Sequence, residues 1–311
     1  MVSELSAPSI KMGLLNAHST NNKLPWLSEF IKKRDLMVLA ITETFLKTIE
    51  QAQRLCKGLP DGIQVHQQPR NLEDSGKKSG GGVGIASSNE LESTRVQLDK
   101  SFKSFEYVAA NLRHKEWDRP IKTTTVYRRP GYDVIPFLED FKEYLENFFE
   151  NDSILITGDF NIKVNDEKYK PATRFKELLN RFGLKQKVTK GTQKKGNILD
   201  LVITRNVEIA DLSVEETDNQ KLDHYAVIFN ACPTSKDTPK KRYIQFPEIT
   251  DPPRKQFKDR EKQRQKKKQK FFLKNDKVSS ETDHILTLKL SNMTWNVSQR
   301  LKKTYPENGS F

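Results

Sequence analysis

The stretch that decides the fold is Ile154-Leu155-Ile156-Thr157-Gly158-Asp159-Phe160-Asn161. A short apolar run bounded by turn residues is typical of a buried β-strand. Gly158 is expected to let the backbone turn where this strand leaves the sheet. If the alternation of a strand continues through Asn161, its side chain points to the same side as that of Asp159. The stretch therefore predicts a carboxylate and an amide at the end of a rigid element, where α/β proteins tend to place their sites.

This pair of side chains has a functional and an ordinary interpretation. A carboxylate can accept a proton or hold a cation, and an amide can orient a water or a phosphate oxygen. Alternatively, Asp and Asn simply form a strand-end turn, which both residues favour. The four residues from Gly158 to Asn161 alone favour the turn, so the rest of the chain has to decide.

Length and composition allow one large domain with an appendage, or two small domains. The chain has 311 residues, and its hydrophobic content of 35% is low for a wholly packed globule. We expect a flexible leader at 1–8, a folded domain at 9–231 and a basic tail at 232–311. The tail is predicted to be largely unstructured, although residues 285–303 could form a helix.

The positive charge is concentrated in the last part of the chain. Residues 233–311 contain 20 Lys and Arg against 9 Asp and Glu, which is +11 of the total of +13. This asymmetry favours a polyanionic partner, and nucleic acid rather than membrane, because the tail lacks a lipid-seeking apolar face. Pro239-Lys240-Lys241-Arg242 and Lys266-Lys267-Lys268 are either nuclear-import signals or a solvated basic linker, and we expect a nuclear protein.

Targeting segments and cysteine usage are both consistent with an intracellular protein. Neither a signal peptide nor an apolar run that could cross a bilayer is recognisable in the sequence. Cys56 and Cys232 have no metal-ligand spacing and suit a reducing compartment.

Apolar patterning predicts alternating strands and helices over the body of the chain. Helical spacing over 24–31, 137–148 and 175–182 predicts three helices. The aromatic stripe over 137–148 is interpreted as core rather than as a ligand site. Strands are predicted at 10–15, 36–41, 83–86, 107–112, 121–127, 198–204 and 226–229, and from 154 to the residue before Asp159. Gly80-Gly81-Gly82 precedes a strand rather than a helix, so a plain turn is preferred over a phosphate-binding loop.

Six of the predicted strands end at, or carry, a residue able to do chemistry. Each residue also has an ordinary structural interpretation: a turn residue, a solvated charge, a buried aromatic ring whose hydroxyl reaches solvent, or a structural histidine. The set comprises Asn16, Glu43, Tyr127, Asp159 with Asn161, Asp200, and Asp223 with His224.

Asp200 carries the sharpest signal among the single residues. It lies between Leu199 and Leu201 in an apolar run, where an unpaired carboxylate would be costly to bury. A histidine is the natural partner, because a neighbouring aspartate fixes the tautomer of the imidazole ring and stabilises its protonated form.

Several segments together resemble the endonuclease/exonuclease/phosphatase family. The resemblance is greatest to the endonuclease domain of non-LTR (LINE-type) retrotransposons of the jockey and chicken-repeat-like group. Each segment alone is weak, but they occur in family order over residues 9–231. The matching segments are Leu15-Asn16-Ala17-His18-Ser19, Ala40-Ile41-Thr42-Glu43-Thr44-Phe45-Leu46, Gly80-Gly81-Gly82-Val83-Gly84-Ile85, Val126-Tyr127-Arg128-Arg129-Pro130, Ile156-Thr157-Gly158-Asp159-Phe160-Asn161, Leu199-Asp200-Leu201-Val202-Ile203-Thr204 and Asp223-His224.

The resemblance implies a fold and a metal site. The fold is a four-layered α/β (α+β) sandwich, in which two central mixed, mostly antiparallel sheets are flanked by helices and the site lies at one end. Glu43, with Asn16 and Asp223, is expected to hold Mg²⁺, or else Mn²⁺. Hard oxygen ligands such as these suit both ions and do not favour zinc.

The resemblance also implies catalytic roles. Asp159 would position or deprotonate the attacking water, and Asn161 would orient that water or a phosphate oxygen. His224, held by Asp200, would stabilise charge on the scissile phosphate. Tyr127 would lie against the same phosphate or the leaving oxygen. Phosphodiester hydrolysis needs these contributions.

Two positions depart from the family pattern. The Ser that usually precedes the Asp-His pair is Leu222 here, which removes a small hydroxyl beside the site and could reshape the pocket. His18 lies where some abasic-site enzymes carry an additional acidic residue near the metal, which argues against assuming abasic-site specificity.

The sequence therefore predicts a Mg²⁺-dependent endonuclease that nicks DNA, without a recognisable reverse-transcriptase core. We expect a monomer that contacts DNA through its active-site face and its basic tail. One alternative is a phosphatase of the same fold that acts on a phosphoinositide or a nucleotide. Another is a catalytically inactive nucleic-acid-binding protein of retroelement origin.

Overall fold

A computed structural model of the chain describes residues 7–70, 80–98, 100–148 and 153–234. Most of the predicted leader and tail, including the helix considered at 285–303, lies outside these residues. The predicted domain boundaries therefore stay a prediction. Within the described residues, no helix is both long and apolar enough to cross a membrane.

The first sheet has six strands and a single parallel pair at its centre. β1 and β2 run parallel, joined by a helical crossover, and all other neighbours are antiparallel. Its strands, in spatial order, are β11 (Val207–Glu215), β12 (Ala226–Pro233), β1 (Ile10–Asn16), β2 (Val38–Thr42), β4 (Val83–Ser88) and β3 (Ile63–Gln68).

The second sheet repeats this arrangement. β7 and β8 form its parallel pair, again joined through a helix, and the remaining neighbours are antiparallel. Its strands, in spatial order, are β5 (Glu92–Val96), β6 (Glu106–Arg113), β7 (Ile121–Tyr127), β8 (Ser153–Asp159), β10 (Asp200–Arg205) and β9 (Lys185–Gln186). The predicted α/β sandwich of two mixed, mostly antiparallel sheets is confirmed.

Four helices in the described part of the chain flank the sheets: α1 (Leu24–Arg34), α2 (Ile49–Gly58), α3 (Val134–Phe148) and α4 (Lys170–Arg181). α1 packs its apolar stripe on the first sheet, where Phe30 and Ile31 join a cluster with Leu39. On the second sheet, Phe137 of α3 and Phe175 of α4 pack with Phe160, and all three rings are fully buried.

The predicted aromatic stripe is therefore core. Phe137, Phe141 and Tyr144 are fully buried, and the Tyr144 hydroxyl meets Thr124 Oγ1 at 2.8 Å. Burial of each such ring contributes roughly 1.5–3 kcal/mol. The ring stack fixes α3, and α3 in turn fixes the crossover that sets β7 and β8 side by side.

Gly158 has a different role from the predicted one. It lies inside β8, where it is paired with both Val126 and Leu201, and its φ is +147°. A Cβ at this position would lie 1.9 Å from the carbonyl oxygen of Val126. Glycine is therefore required by the close approach of β7, and the chain leaves the sheet only after Asp159.

We predict that Gly158→Ala destabilises the protein by more than about 3 kcal/mol, because backbone atoms of β7 must move to admit the methyl group. Urea unfolding followed by tryptophan fluorescence measures this change. Gly131→Ala is the matched control, since φ is +80° there but a Cβ meets nothing within 4 Å. The control should lose only about 1–2 kcal/mol, and equal losses in the two variants would contradict the steric explanation.

Candidate active site

The polar residues predicted to form the site lie at one end of the sandwich, where central strands of both sheets end or begin. In the second sheet, Tyr127, Asp159 and Asp200 are register partners on three adjacent strands. In the first sheet, Asn16 ends β1 beside Thr42, and Glu43 follows at once. The strand directions of both sheets therefore bring these side chains to the same edge.

Asn16 connects the two sheets at this edge. Its Nδ2 donates to Glu43 Oε1 at 3.1 Å and to Asp159 Oδ2 at 3.0 Å. Its side-chain oxygen accepts from the backbone N–H of His18 at 3.1 Å. Asn16 is 2% exposed, so a single buried amide holds two carboxylates that would otherwise repel each other.

Asp159 and Asn161 meet, but not through strand alternation as predicted. The strand ends at Asp159, and Asn161 adopts a left-handed conformation with φ of 49°. Its backbone N–H donates to Asp159 Oδ1 and its Nδ2 to Asp159 Oδ2, both at 3.0 Å. With the bond from Asn16, both oxygens of Asp159 are held in place. Burial, followed by the charge of Asp200, raises the pKa of the Asp159 carboxyl.

His224 and Asp200 form the predicted pair. His224 Nδ1 lies 2.7 Å from Asp200 Oδ2, and Asp200 is 1% exposed. Asp200 begins β10, whereas the sequence had placed it inside a strand. Burial alone would lower the pKa of His224, but the charge and hydrogen bond of Asp200, with Asp159 and Asp223, raise it to about 10. The ring is therefore a cation at neutral pH.

Asp159, Asp200 and His224 together form a buried group that could hold a metal ion. Their ligand atoms all lie within 4.8 Å of one another. A cation bound to His224 Nδ1, however, would have to replace its short bond to Asp200. The group is better suited to hold the imidazolium and to keep Asp159 close to it.

Tyr127 lies between a carboxylate and a guanidinium. The guanidinium of Arg70 lies 5.6 Å from the centre of the tyrosine ring, and the charges of Glu43 and Arg70 both act on the phenol. Burial, followed by the charges of Glu43 and Asp159, raises the pKa of Tyr127. The phenol therefore stays protonated and can donate a hydrogen bond.

Arg70 is a residue of the site that sequence reasoning missed. Its side chain is only 5% exposed and its Nε donates to Glu106 Oε1 at 2.5 Å. Glu106 Oε2 accepts from the backbone N–H of Gly82, also at 2.5 Å. A buried arginine paired with a glutamate distant in sequence could not be inferred from Gln-Pro-Arg, which is typical of an ordinary polar loop.

Two of the three glycines at 80–82 contact the segment that follows Glu43. Gly81 O accepts from Phe45 N at 2.8 Å, and Gly82 O accepts from Thr44 N at 3.1 Å. A Cβ on Gly81 would lie 2.3 Å from Arg70 Nε. The glycine segment therefore holds the residues that follow β2, and its interpretation as a plain turn stays a prediction.

Thr192, which the sequence did not single out, ties Asp200 to His224. Its hydroxyl accepts from the backbone N–H groups of Leu199 and Asp200, both at 3.0 Å. Its carbonyl accepts from Tyr225 N at 2.8 Å. This one fully buried residue therefore positions the start of β10 and the segment that carries His224.

The remaining two positions considered in the sequence immediately precede His224. The Asp223 carboxylate is exposed and next to His224. Leu222 is 3% exposed and packs into the cluster that contains Ala226 and Ile228. The side chain that replaces the usual serine therefore points into the core.

A two-sheet sandwich with these acidic, amide and imidazole groups at one edge defines the class of protein: it has the endonuclease/exonuclease/phosphatase fold. Residues 121–228 match a family described as endonuclease-reverse transcriptase. The resemblance predicted from the sequence is therefore confirmed. Among curated proteins, none has a significant sequence match.

Solved structures share this fold over most of the chain. The endonuclease domain of TRAS1, a telomere-specific non-LTR retrotransposon, is 17% identical, and the alignment covers 73% of this chain and 100% of that domain with a TM-score of 0.56. The AP endonuclease LMAP from Leishmania major is 16% identical, with coverages of 71% and 87% and a TM-score of 0.55. The 3′ phosphatase NExo from Neisseria is 17% identical, with coverages of 71% and 98% and a TM-score of 0.52. Identities this low establish the fold, and substrate has to be argued from the site.

We predict that Thr192→Val lowers the free energy of unfolding by about 2–4 kcal/mol, because two buried backbone N–H groups lose their acceptor while the shape is kept. Chemical denaturation measures the loss. Thr123→Val is the matched control: Thr123 is fully buried, and its hydroxyl has no hydrogen-bond partner among the described residues. The control should be neutral or stabilising, and equal effects of the two changes would contradict the role of Thr192.

A second prediction concerns the charge of His224. Its pKa of about 10 lies above the value of about 6.5 for an unfolded chain. Protonated His224 therefore stabilises the folded protein fully at pH values below the unfolded pKa. This stabilisation is lost as pH rises through the folded pKa. In a metal-free NMR titration, the imidazolium should persist above pH 8, and Asp200→Asn should lower its pKa. Titration of wild-type His224 near the unfolded value would contradict this electrostatic account.

Proposed function

We propose that this chain is a Mg²⁺-dependent DNA endonuclease that nicks its substrate by hydrolysing a phosphodiester bond. The observation that carries the proposal is a continuous series of contacts: Glu43 to Asn16, Asn16 to Asp159, and Asp159 beside the Asp200–His224 pair. These contacts support the proposal, because a ligand for a cation, a base and a cation for the phosphate would then lie close together. These are the groups that phosphodiester hydrolysis requires.

The donors around Glu43 fit a hard divalent cation. The Glu43 side chain is 15% exposed, so its carboxylate is fixed yet reachable. Asn16 Oδ1 has a second lone pair beyond the one used by His18 N–H, and Asp223 adds an exposed carboxylate. We propose that Glu43, Asn16 and Asp223 hold Mg²⁺, or Mn²⁺ in its place. The bound cation would neutralise charge on the phosphate and polarise its oxygen.

Asp159 is the proposed base. Both of its oxygens are oriented, by Asn16 and by Asn161, so the carboxylate can direct a water molecule for in-line attack. Its raised pKa favours proton acceptance from that water. Asn161 acts mainly by fixing Asp159 and by bordering the position of the water or a phosphate oxygen.

His224 and Tyr127 are the proposed partners of the phosphate. The Asp200 carboxylate engages Nδ1 of His224, so the protonated Nε2 can donate to a phosphate oxygen. The phenol of Tyr127, which burial and the nearby carboxylates keep protonated, can donate to the same phosphate or to the leaving oxygen. Both contributions increase as negative charge develops in the transition state.

The basic sequence after residue 232 supports DNA as the substrate. A net charge of +11 on residues 233–311 favours phosphate contacts that do not depend on base sequence. We propose a monomer that acts on nuclear DNA.

The match to the Neisseria 3′ phosphatase favours phosphomonoester hydrolysis as the second candidate, on a nucleotide or phosphoinositide.

We predict that the wild-type protein nicks supercoiled plasmid with Mg²⁺ and not with EDTA. Asp159→Asn should lower the rate by about 10²–10⁴-fold, because the base is lost while the shape is retained. His224→Asn should lower it by about 10²–10³-fold, because the developing charge loses its stabilisation. Single-turnover gel assays measure both rates.

Asp61→Asn is the matched control, because Asp61 is exposed and precedes β3 at the edge away from the site. It should nick at the wild-type rate. Equal nicking by all variants would defeat the proposed roles. Phosphate release from nucleotides or phosphoinositides without nicking would support the phosphatase, and tight DNA binding without turnover in any divalent metal would support an inactive binding protein.

A further inference from the structure

We propose that His18 is an additional ligand of the divalent cation at Glu43, and that its imidazole shifts the preference of the site from Mg²⁺ towards first-row transition ions such as Mn²⁺. This inference rests on the metal site proposed above. Glu43, Asn16 and Asp223 offer only oxygen donors to the cation, and His18 would add a nitrogen donor to them.

The geometry places the imidazole beside the proposed metal ligand. His18 Nδ1 lies 3.5 Å from Glu43 Oε2, the oxygen that Asn16 does not use. Neighbouring ligands of an octahedral ion with bonds of about 2.1 Å are about 3.0 Å apart. A small rotation of either side chain therefore brings the two atoms onto one cation.

His18 is accessible and yet held in place. Its side chain is 63% exposed, so it can be reached from solvent. The backbone N–H of His18 donates to Asn16 Oδ1, and its backbone carbonyl accepts from Lys23 Nζ at 2.7 Å. Its ring packs against Phe45, with the ring centres 5.5 Å apart. The ring is thus fixed from the backbone and from one face before any cation binds.

The backbone around His18 is in an uncommon conformation that the fold maintains. His18 and Ser19 both have positive φ, at 40° and 81°. Lys23 Nζ bridges three successive carbonyls, of Ala17, His18 and Ser19, at 2.7–3.0 Å. Without this turn the chain leaving β1 would carry the imidazole away from Glu43, so the turn directs His18 to the metal site.

The chemistry of the donor predicts the change in selectivity. Mg²⁺ strongly prefers oxygen ligands and gives up water reluctantly, whereas transition ions accept imidazole readily. An added nitrogen donor therefore strengthens Mn²⁺ binding more than Mg²⁺ binding. His18→Asp should reverse this effect, because it replaces the nitrogen by a carboxylate oxygen.

The test is pulsed EPR of Mn²⁺ bound to the full-length protein, with Mn²⁺ affinity from the free-ion signal. Directly bound imidazole gives a characteristic ¹⁴N coupling, which should be present in wild type and in His224→Gln and lost in His18→Gln. Mn²⁺ affinity should fall at least about tenfold in His18→Gln. In competition titrations, the ratio of Mn²⁺ to Mg²⁺ affinity should fall in His18→Asp.

The outcomes separate this inference from the proposed function. Bound Mn²⁺ without ¹⁴N coupling, or with coupling that survives His18→Gln, would overturn the role of His18 and leave the nicking assay to judge the nuclease. Coupling lost in His224→Gln instead would place the ion at the buried group and also overturn it. Failure to bind Mn²⁺ at all would overturn both the inference and the metal site.

Discussion

The site depends on the amide of Asn16, which joins the two sheets. Asn16 ends β1 in the first sheet, and Asp159 ends β8 in the second, 143 residues further along the chain. Two carboxylates at the meeting edge of two sheets would repel each other and would be costly to bury. One buried NH₂ group that donates to Glu43 and to Asp159 offsets that cost. It also fixes the distance between the proposed metal ligand and the proposed base.

Strained backbone is concentrated where these side chains converge. Five of the eight non-glycine residues with positive φ in the described part of the chain are His18, Ser19, Glu43, Phe45 and Asn161. Such conformations cost roughly 1–3 kcal/mol each and persist only where tertiary contacts enforce them. The contacts are visible as bonds from Lys23, from the glycine turn at 80–82 and from Asp159. The core thus stabilises a site that the local sequence would not form alone.

The central strands and the helices with apolar stripes could be predicted because burial leaves a clear pattern. The elements that sequence reasoning missed are α2 and the edge strands β3, β5, β9 and β11, which are only partly buried and carry mixed polar residues. Asp200 was identifiable because a carboxylate in an apolar run needs a partner. Arg70 and Thr192 were not, because their roles depend on contacts with strands distant in sequence. Asn161 does lie beside Asp159, but the left-handed conformation of Asn161 brings the two side chains together, not the strand alternation that the sequence suggested.

The central claim is that one divalent cation binds beside Glu43 and close to His224, where strands of the two sheets end together. The histidines report on this directly, because paramagnetic Mn²⁺ broadens NMR signals according to their distance from it. We predict that substoichiometric Mn²⁺ broadens the imidazole signals of His18 and His224 first. His114 follows the end of β6 that lies away from the site, so its imidazole signal should stay sharp. Equal broadening of all three, or broadening of His114 before His224, would contradict a single cation bound in the proposed cleft.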